Sequence, residues 1–352
     1  MSQIPKNHKN SQIAPFEYEL LNEQIAQYPP EVRGQSRLLV VNRSDDSLLD
    51  RTYQDCLDYM SPGDVLVLND TRVIPARLVA IKQSGAEREL FLSERHNGQL
   101  LSLTARVVYR GSLRAGDRLR VGDESIEVTE ILGNGEAMIR AAVPPIILAE
   151  RFGHTPLPPY IKRDDTEDDK ERYQAVFARN NGSVAAPTAS LNLTPALLKR
   201  IRAKGVIIVK LTLHVGRGTF LPIRADSVES HVMHQEYYSI PKSTLQAIRL
   251  ARSSGHRIIA IGTTVTRALE HAAAAILGHA IGPVQAEADI FIYPGYEFKV
   301  VDRLLTNFHA PDSTVLQLAA AFAGVKLLEQ AYHHALSSDY RFLSYGDSMM
   351  IV

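Results

Sequence analysis

Residues 180–220 read NNGSVAAPTASLNLTPALLKRIRAKGVIIVKLTLHVGRGTF, and three structural signals follow one another in this stretch. A loop of small residues at 182–190 leads to a helix start, which Thr194 should cap and Pro195 should open. A strongly apolar strand comes next and ends near His214. A histidine at the end of a buried strand occupies a common position for chemistry in α/β enzymes. The alternative is an ordinary tight turn followed by a core strand.

The composition is that of an ordinary globular protein, with 45% apolar and 22% charged residues among 352. The formal net charge is zero, so binding to nucleic acid would require local basic patches. The single cysteine, Cys56, excludes an internal disulfide bond and indicates a reducing compartment. No histidine or basic cluster adjoins it, which predicts a buried structural thiol.

The first 15 residues are polar and lack the apolar core of a signal peptide, which predicts a flexible tail. The longest apolar runs, 268–277 and 315–325, are shorter than a membrane span and are typical of buried helices. We therefore expect a cytoplasmic, monomeric protein without membrane contact.

The spacing of apolar residues changes twice along the chain, which predicts that one domain is inserted into another. Within 63–143, short alternating segments separated by glycine-containing turns indicate a small β-barrel. On both sides, in 16–62 and 144–352, helices and strands alternate as they do in α/β folds. The predicted fold class is a discontinuous α/β main domain with an inserted small all-β barrel domain.

Apolar periodicity predicts the individual elements. Helices are expected at 18–26, around Cys56, and at 146–152, 170–178, 195–204, 242–253, 264–277, 313–323 and 326–337. Strands of the α/β part are expected at 37–41, 206–215, 257–261, 288–293 and 300–306, while 65–68 is assigned to the insert.

Polar residues follow two of the predicted strands directly. Asp70, Thr71 and Arg72 come after the strand at 65–68, where they form either a functional cluster or a turn with a salt bridge. Gly262 and the hydroxyl residues Thr263 and Thr264 come after the strand at 257–261 and open a helix.

The start of that helix is a candidate anion site. A helix N-terminus with two hydroxyls can bind a carboxylate or a phosphate, and Arg267 could add a bidentate contact. The alternative is plain helix capping.

His231, His234 and Glu236 could bind a metal ion, but their spacing differs from the paired-histidine helix of zinc hydrolases. We favour a hydrogen-bonding or acid–base cluster at these residues and predict no metal site. The basic run 199–204 is typical of a solvated helix face, or contacts phosphates if the protein binds RNA.

Further polar and aromatic residues end later segments of the chain. Tyr293, Asn307, His309 and Asp347 lie in the runs IYPGY, TNFH and YGD. Aromatic rings beside Asn and His suit recognition of a purine or an unstacked base, although each is also a common loop anchor. No glycine-rich dinucleotide fingerprint and no phosphate-binding loop is present in the sequence.

These pieces together resemble the S-adenosylmethionine:tRNA ribosyltransferase-isomerases of queuosine biosynthesis. The motifs that carry the resemblance span nearly the whole chain: 27–39 (Q-x-P…R-x-x-S-R-L-L), 69–78 (NDTRVIPARL), 157–161 (LPPYI), 182–189 (GSVAAPTA), 212–220 (TLHVGRGTF), 233–236 (MHQE), 262–270 (GTTVTRALE), 289–302 (DIFIYPGYEFKVVD), 306–309 (TNFH) and 340–347 (YRFLSYGD).

The resemblance implies transfer of the ribosyl part of S-adenosylmethionine to the aminomethyl-deazaguanine base at the tRNA wobble position. Adenine and methionine leave, and the product is epoxyqueuosine. S-adenosylmethionine is then a consumed substrate, so no retained cofactor is expected. The implied partners are S-adenosylmethionine and a tRNA that carries the precursor base.

This chemistry needs a base, an anion site, donors for the departing adenine and a pocket for the nucleobase. The candidates for proton transfer are His214, or His234 with Glu236. The candidates for the methionine carboxylate or a phosphate are Thr263, Thr264 and Arg267. The candidates for base recognition are Tyr293, Asn307 and His309, and those for tRNA phosphates are Arg37, Arg72 and Arg77. Five further residues complete the expected substrate-binding set: Asp70, Thr71, Thr188, Asn192 and Asp347.

One segment departs from the family pattern. The family usually reads Thr-Ala-Gly-Leu-His-Phe where this chain has Thr188 to Leu193, TASLNL. Ser190 adds a Cβ, and Asn192 can bind substrate by hydrogen bonding but cannot titrate near neutral pH. The leading hypothesis is an active transferase; the alternatives are a non-catalytic paralogue that binds S-adenosylmethionine or RNA, and a metal-dependent hydrolase.

Overall fold

The computed structural model describes residues 15–93, 102–216, 223, 228, 230–278 and 281–352. The strands of this part are β1 (Arg37–Asn42), β2 (Ser47–Thr52), β3 (Val65–Asn69), β4 (Thr71–Val73), β5 (Arg77–Lys82), β6 (Glu87–Leu92), β7 (Thr104–Arg110), β8 (Arg118–Val121), β9 (Glu124–Gly133), β10 (Glu136–Ala141), β11 (Asn180–Ser183), β12 (Ile207–Leu213), β13 (Glu236–Ile240), β14 (Ile258–Ile261), β15 (Val284–Ala288), β16 (Arg303–Asn307) and β17 (Ser348–Ile351). The α-helices are α1 (Pro145–Phe152), α2 (Asp169–Arg172), α3 (Pro195–Ala203), α4 (Lys242–Ser253), α5 (Thr263–His271), α6 (Ala273–Leu277), α7 (Thr314–Ala323) and α8 (Val325–Ser337).

The larger sheet is mixed, with the strand order β15-β13-β12-β3-β14-β16-β17-β1-β2. Its centre, β12-β3-β14-β16, is parallel throughout. Every residue of β3 and β14 is buried, as expected for parallel strands covered on both faces. Helices such as α4, α5 and α7 supply that cover with apolar side chains.

The smaller sheet is a closed antiparallel barrel with the order β10-β7-β6-β5-β8-β9. Its strands alternate between buried and exposed residues, because one face of each strand points into the barrel. The barrel core includes Leu78, Leu90, Val107, Leu119, Val128 and Ile139. This barrel and the mixed sheet with its helices confirm the predicted fold class.

The strand at 65–68 was assigned to the insert, and this assignment is wrong. The strand β3 lies in the centre of the large sheet, between β12 and β14. Its continuous apolar run is buried on both faces, whereas the barrel strands alternate. The first barrel strand is β5, which begins at Arg77. Where each domain begins and ends remains a prediction.

Four further elements differ from their predicted form because tertiary contacts override local periodicity. In place of the expected strand at 288–293, the structure has β15, which ends at Ala288 opposite Glu236, the first residue of its antiparallel neighbour β13. The expected helix at 170–178 stops at Arg172, where the Gln174 side chain instead bonds both backbone groups of Val73, at 3.0 and 2.7 Å.

The segment 18–26 contains only a single 3₁₀ turn, Asn22–Gln24, and Ile25 then forms a bridge to Phe342. The segment around Cys56 is also a 3₁₀ helix, Tyr53–Tyr59. Sequence periodicity did not indicate the short strands β2, β11, β13 and β17, which the structure adds.

The helix start at Thr194 is confirmed, because the Thr194 side chain accepts a hydrogen bond from the Leu197 backbone at 3.1 Å. Cys56 is buried as predicted, and its burial raises the pKa of the thiol to about 12. Among the described residues, no helix is both long and apolar enough to cross a membrane.

Gly153, at the end of α1, gives a test of how closely the barrel packs. A Cβ on Gly153 would lie 1.9 Å from the Pro75 carbonyl oxygen and 2.4 Å from that of Ala149. We expect Gly153→Ala to lower the free energy of unfolding by about 3 kcal/mol, the upper end of overpacking costs. Gly282→Ala is the matched control, because a Cβ there meets no atom within 4 Å. Equal urea unfolding midpoints for the two variants would contradict the packing.

Candidate functional site

The parallel strands β3, β12, β14 and β16 all end at one edge of the large sheet, which we call the strand-end edge. Because β17 runs antiparallel to β16 and parallel to β1, the starts of β17 and β1 reach the same edge. Motifs that are far apart in sequence therefore meet there. The residues brought to this edge are Asp70, Thr71, His214, Thr263, Thr264, Asn307, His309, Asp347 and Arg37.

Asn69, the last residue of β3, joins three of these elements. Its Nδ2 donates to the Leu213 carbonyl at 2.9 Å, and its Oδ1 accepts from the Leu213 backbone N–H at 3.0 Å. The same Nδ2 is 3.5 Å from Thr264 Oγ1 at the start of α5. The Asn69 side chain is fully buried, so these bonds set the relative positions of β12 and α5 without competition from water.

His214 lies at the end of a chain of hydroxyl groups. Its Nδ1 is 2.8 Å from Thr71 Oγ1, which in turn is 2.7 Å from Ser183 Oγ. Ser183 Oγ accepts a hydrogen bond from the Val215 backbone at 2.7 Å. Both hydroxyls can rotate, so this chain stabilises either tautomer of the imidazole.

The segment 182–193, which begins with the loop of small residues at 182–190, runs along the strand-end edge, and we call this segment the covering loop. At one end, a Cβ on Gly182 would lie only 2.6 Å from the His214 ring, so glycine is required there. In its middle, Ala189 lies against Gly262, and its carbonyl accepts from the Tyr53 hydroxyl at 2.8 Å.

The far end of the covering loop reaches the start of β1. Asn192 Oδ1 accepts a hydrogen bond from Ser36 Oγ at 2.8 Å, and Arg33 donates to the Leu191 carbonyl at 2.7 Å. Asn192 therefore lies at the opposite end of the loop from the His214 group. Thr188, which is half-buried, lies between the two ends.

Asp70 has its partners within the protein. Its Oδ1 accepts hydrogen bonds from Thr212 Oγ1 at 2.7 Å and from Asn180 Nδ2 at 3.0 Å. Its backbone carbonyl accepts from the N–H groups of Arg179 and Asn180. In this arrangement Asp70 orders the segment around β11, which supplies Ser183.

Glu236 and Arg267 form a buried ion pair. Glu236 also accepts from the Gly216 backbone at 3.0 Å, and Arg267 donates to the Ala288 carbonyl at 3.1 Å. Both charges are used within the protein, so the geometry does not favour Glu236 as a general base or Arg267 as an anion ligand. The pair instead holds α5 against the start of β13 and the end of β15.

His234, two residues before Glu236, meets the ion pair through its backbone carbonyl, which accepts from Arg267 at 3.4 Å. His234 is exposed, while the ring of His231 packs edge-on against Phe291 at 5.1 Å. Burial and the neighbouring His234 lower the pKa of His231. Tyr293 lies next to Phe291, with ring centroids 5.3 Å apart. No three His, Cys, Asp or Glu side chains of the described ranges group closely enough for a metal ion.

The TNFH and YGD motifs are held by internal contacts. His309 Nε2 is 3.0 Å from Thr306 Oγ1, and burial lowers the pKa of His309 to about 3. Asp347 accepts from the Arg37 backbone at 2.7 Å and from the Arg341 backbone at 2.8 Å, and burial raises the pKa of Asp347. Asn307 donates weakly to the Asp347 carbonyl, at 3.4 Å.

The three arginines expected at RNA phosphates differ in their surroundings. Arg77 is held by Glu89 at 3.1 Å and Asp165 at 3.0 Å. Arg37 lies over the Tyr340 ring at 3.7 Å and pairs with Asp50. Arg72, on β4, is exposed and has no ion-pair partner among the described residues.

Several residues of this site escaped the sequence analysis. In the sequence, Ser183 and Gly182 are ordinary small residues of a loop, and nothing there indicates that they lie beside His214. Asn69 carried a signal, since it is the first polar residue after a buried strand. Arg179 gave no signal; it is exposed and follows α2 at the start of β11, which pairs with β4.

Comparison with known proteins supplies independent information. The family model described as "Queuosine biosynthesis protein" matches residues 13–351. The chain is 55% identical to the S-adenosylmethionine:tRNA ribosyltransferase-isomerase of Pelodictyon phaeoclathratiforme, over 96% of this chain and 98% of that one. It is 53% identical to the protein of the same name from Chlorobium luteolum, over 97% and 99%.

Among solved structures, the chain is similar to an S-adenosylmethionine tRNA ribosyltransferase from Thermotoga maritima. The two share 33% identity and a TM-score of 0.55, over 96% of this chain and 100% of that one. The sequence similarity and the fold similarity therefore relate the chain to the same kind of protein.

Removing Glu236 tests the buried ion pair. Glu236→Ala leaves the Arg267 guanidinium buried without its counter-charge, and we expect the free energy of unfolding to fall by about 3–5 kcal/mol. The matched control is Glu167→Ala, which breaks the exposed pair with Lys170 and should change stability little. Urea unfolding measures the stability of both variants. A small loss of stability in Glu236→Ala would show that water reaches the ion pair.

The lowered pKa of His309 predicts a pH effect on stability. Between about pH 6.5 and about pH 3, His309 is protonated in the unfolded chain but neutral in the folded protein. The stability contributed by the neutral imidazole is therefore complete above pH 6.5 and is lost as the pH falls, by roughly 1.4 kcal/mol per unit. The free energy of unfolding is measured against pH for the wild type and for His309→Gln, and the difference isolates the contribution of His309. Parallel curves for the two proteins would refute this contribution.

Proposed function

The chain belongs to the family of queuosine biosynthesis proteins, and we propose that it transfers and isomerises the ribosyl part of S-adenosylmethionine onto 7-aminomethyl-7-deazaguanine at the tRNA wobble position. The products are epoxyqueuosine, adenine and methionine. Full-length relatives that carry the name S-adenosylmethionine:tRNA ribosyltransferase-isomerase support this enzyme class. S-adenosylmethionine is consumed as a substrate and is not retained as a cofactor.

The observation that carries the proposal is the group formed by His214, Thr71 and Ser183 at the strand-end edge. The reaction needs a base that removes a proton from the carbon next to the sulfonium. An imidazole held at Nδ1 by a hydroxyl has a defined orientation, and imidazole is the commonest general base of enzymes. Gly182 of the covering loop lies against this ring.

The start of α5 suits the carboxylate of the methionine portion. Its first backbone N–H groups are unpaired within the helix, and Thr263 and Thr264 add hydroxyl donors. Because Arg267 is paired with Glu236, the charge at this position comes from the helix dipole and not from a guanidinium. His214 and α5 both follow strands that flank β3, so one ligand can lie across the three strand ends.

Arg72 suits a contact with an RNA phosphate. It is exposed on β4, one residue from Thr71, and Arg179 at the start of the paired strand β11 is exposed as well. Two exposed guanidiniums beside the proposed catalytic group would hold the RNA backbone without selecting a sequence. Arg77 is less suited, since its charge is balanced by Glu89 and Asp165.

His214→Ala tests the proposed base. Purified protein is mixed with S-adenosylmethionine and tRNA that bears the precursor base, and adenine release and nucleoside mass are followed. We expect kcat to fall at least about 100-fold, the scale of a lost general base, while the unfolding midpoint stays close to that of the wild type.

The matched control for that experiment is His333→Ala, which removes an exposed histidine on α8 and should leave turnover unchanged. Near-normal turnover by His214→Ala would remove this residue from the catalytic group. Wild-type protein that releases no adenine, but gains activity through Asn192→His, would instead favour a divergent paralogue that binds without reacting.

A further inference from the structure

The strands β12, β13 and β15 bury one face of the large sheet and turn the other towards solvent. Their registers place Thr212 opposite Ser239 and Ser239 opposite Gln285, so these three residues share one face. Thr212 and Ser239 are half-buried, and Gln285 is exposed. On the other face, Leu213 and Tyr238 are buried in the core with side chains of α4, α5 and α6. We call the solvent-facing side of these strands the open face.

Tyr237 places an aromatic ring on the open face, directly beside the proposed base. Its backbone carbonyl accepts from the His214 N–H at 3.0 Å, which continues the pairing of Leu213 with Tyr238 by one residue. The Tyr237 and His214 rings are nearly parallel, with 24° between their planes and 6.1 Å between their centroids. Tyr237 is half-buried, so part of this residue remains in contact with solvent.

Positive charge adjoins the open face on the side of β12. Lys210 lies two residues before Thr212 on the same face, and its Nζ is 5.5 Å from the centre of the Phe177 ring. Thr212 Oγ1 accepts a hydrogen bond from Asn180 Nδ2 at 2.8 Å, which brings the preceding residue, Arg179, to this side. Neither Lys210 nor Arg179 has an ion-pair partner within the part of the chain that the structure describes. Both cations can therefore bind a phosphate from outside the protein.

The charge has the opposite sign on the side of β15. Glu287 lies opposite Tyr237 in the pairing of β13 with β15, and it is exposed. Tyr237 therefore lies between cations on one side and a carboxylate on the other. This order matches a nucleotide whose phosphate faces β12 and whose base, with N–H donors on its edge, faces β15.

We propose that the open face binds the target base of the RNA, stacked on the ring of Tyr237, with an adjoining phosphate bound by Lys210 and Arg179. Sheet faces that carry aromatic side chains bind unpaired RNA bases in this way, because an aromatic ring offers a stacking surface to any base. This inference rests on the proposed function, which makes a wobble base of tRNA the substrate. It adds a stacking residue and the face of the sheet from which the RNA approaches.

The two substrates then reach His214 from different sides. The start of α5, proposed for the methionine carboxylate, belongs to a helix that covers the buried face, where Val265 and Leu269 pack in the same core as Tyr238. The open face lies on the opposite side of the same strands. The RNA base and S-adenosylmethionine can therefore bind together and meet at the end of β12, where His214 follows the strand.

The first test measures the affinity for an anticodon stem-loop RNA that carries the precursor base, by fluorescence anisotropy at fixed salt concentration. Stacking on one ring predicts that Tyr237→Ala weakens binding by about 10-fold, whereas Tyr237→Phe keeps it within about twofold. Unfolding midpoints are measured for every variant. Tyr237→Leu, which keeps apolar packing but lacks an aromatic ring, replaces the alanine variant if that variant does not fold.

Tyr59→Ala is the matched control for these variants. Tyr59 is also half-buried, and its carbonyl accepts from Arg303 at the start of β16, which lies at the opposite edge of the sheet. This variant should bind the RNA as the wild type does.

The second test uses the same RNA with an abasic nucleotide in place of the precursor base. Loss of the base should weaken binding to the wild type but cause no further loss in Tyr237→Ala. A ring that only orients His214 would lower kcat and leave the abasic loss the same in both proteins. Wild-type affinity of Tyr237→Ala, or equal abasic losses in the two proteins, would overturn the site.

The adenine of S-adenosylmethionine is the other planar base in the reaction, and steady-state kinetics separates it from the RNA base. Stacking of the RNA base predicts that Tyr237→Ala raises KM for the RNA and leaves KM for S-adenosylmethionine close to that of the wild type. A raised KM for S-adenosylmethionine with unchanged RNA affinity would assign the ring to adenine and overturn the proposal.

The phosphate contact is tested by the salt dependence of RNA binding. Lys210→Gln should reduce the slope of log affinity against log salt concentration by about one unit, the effect of one lost phosphate contact. Lys326→Gln, which removes an exposed lysine on α8, is the control and should keep the wild-type slope. A wild-type slope for Lys210→Gln would overturn the contact at Lys210.

Failure of the proposed function would look different. A protein that shows the abasic coupling to Tyr237 but releases no adenine from S-adenosylmethionine keeps the base site and loses the reaction. A protein that releases adenine in the presence of tRNA, but shows no coupling to Tyr237, keeps the reaction and loses the base site.

Discussion

The amide of Asn69 is the contact on which the candidate site depends. It bonds both backbone groups of Leu213 and reaches Thr264, so that the ends of β3 and β12 and the start of α5 are held in one arrangement. Thr71 and His214 follow these strand ends directly. Because the amide is fully buried, losing one of its bonds would leave an unpaired polar group, which is costly. The position of His214 therefore follows from a fixed scaffold.

The covering loop adds to that scaffold through its small side chains. Gly182 permits the close approach of the His214 ring, and Ala189 allows the loop to lie against Gly262. The same loop carries Ser183 at the end that meets Thr71 and His214, and Asn192 at the end that meets Ser36.

Buried ion pairs determine which charged residues remain available to ligands. Arg267 with Glu236 and Arg163 with Asp169 are held inside the protein, where each partner offsets the cost of burying the other. Arg72, by contrast, is exposed without an ion-pair partner among the described residues. Residue type alone could not separate these cases, because each arginine lies in a polar stretch that follows or opens an element.

The sequence by itself determined the fold class, the cap at Thr194, the buried Cys56 and the placement of His214 at a strand end. These features depend on local periodicity, turn residues and composition, which are readable along the chain. Only the tertiary structure decided that β3 belongs to the large sheet, that β15 ends at Ala288, and that Ser183 bonds Thr71 beside His214. Strand pairing and ion pairing join residues that are distant in sequence, and no local pattern encodes which partner is chosen.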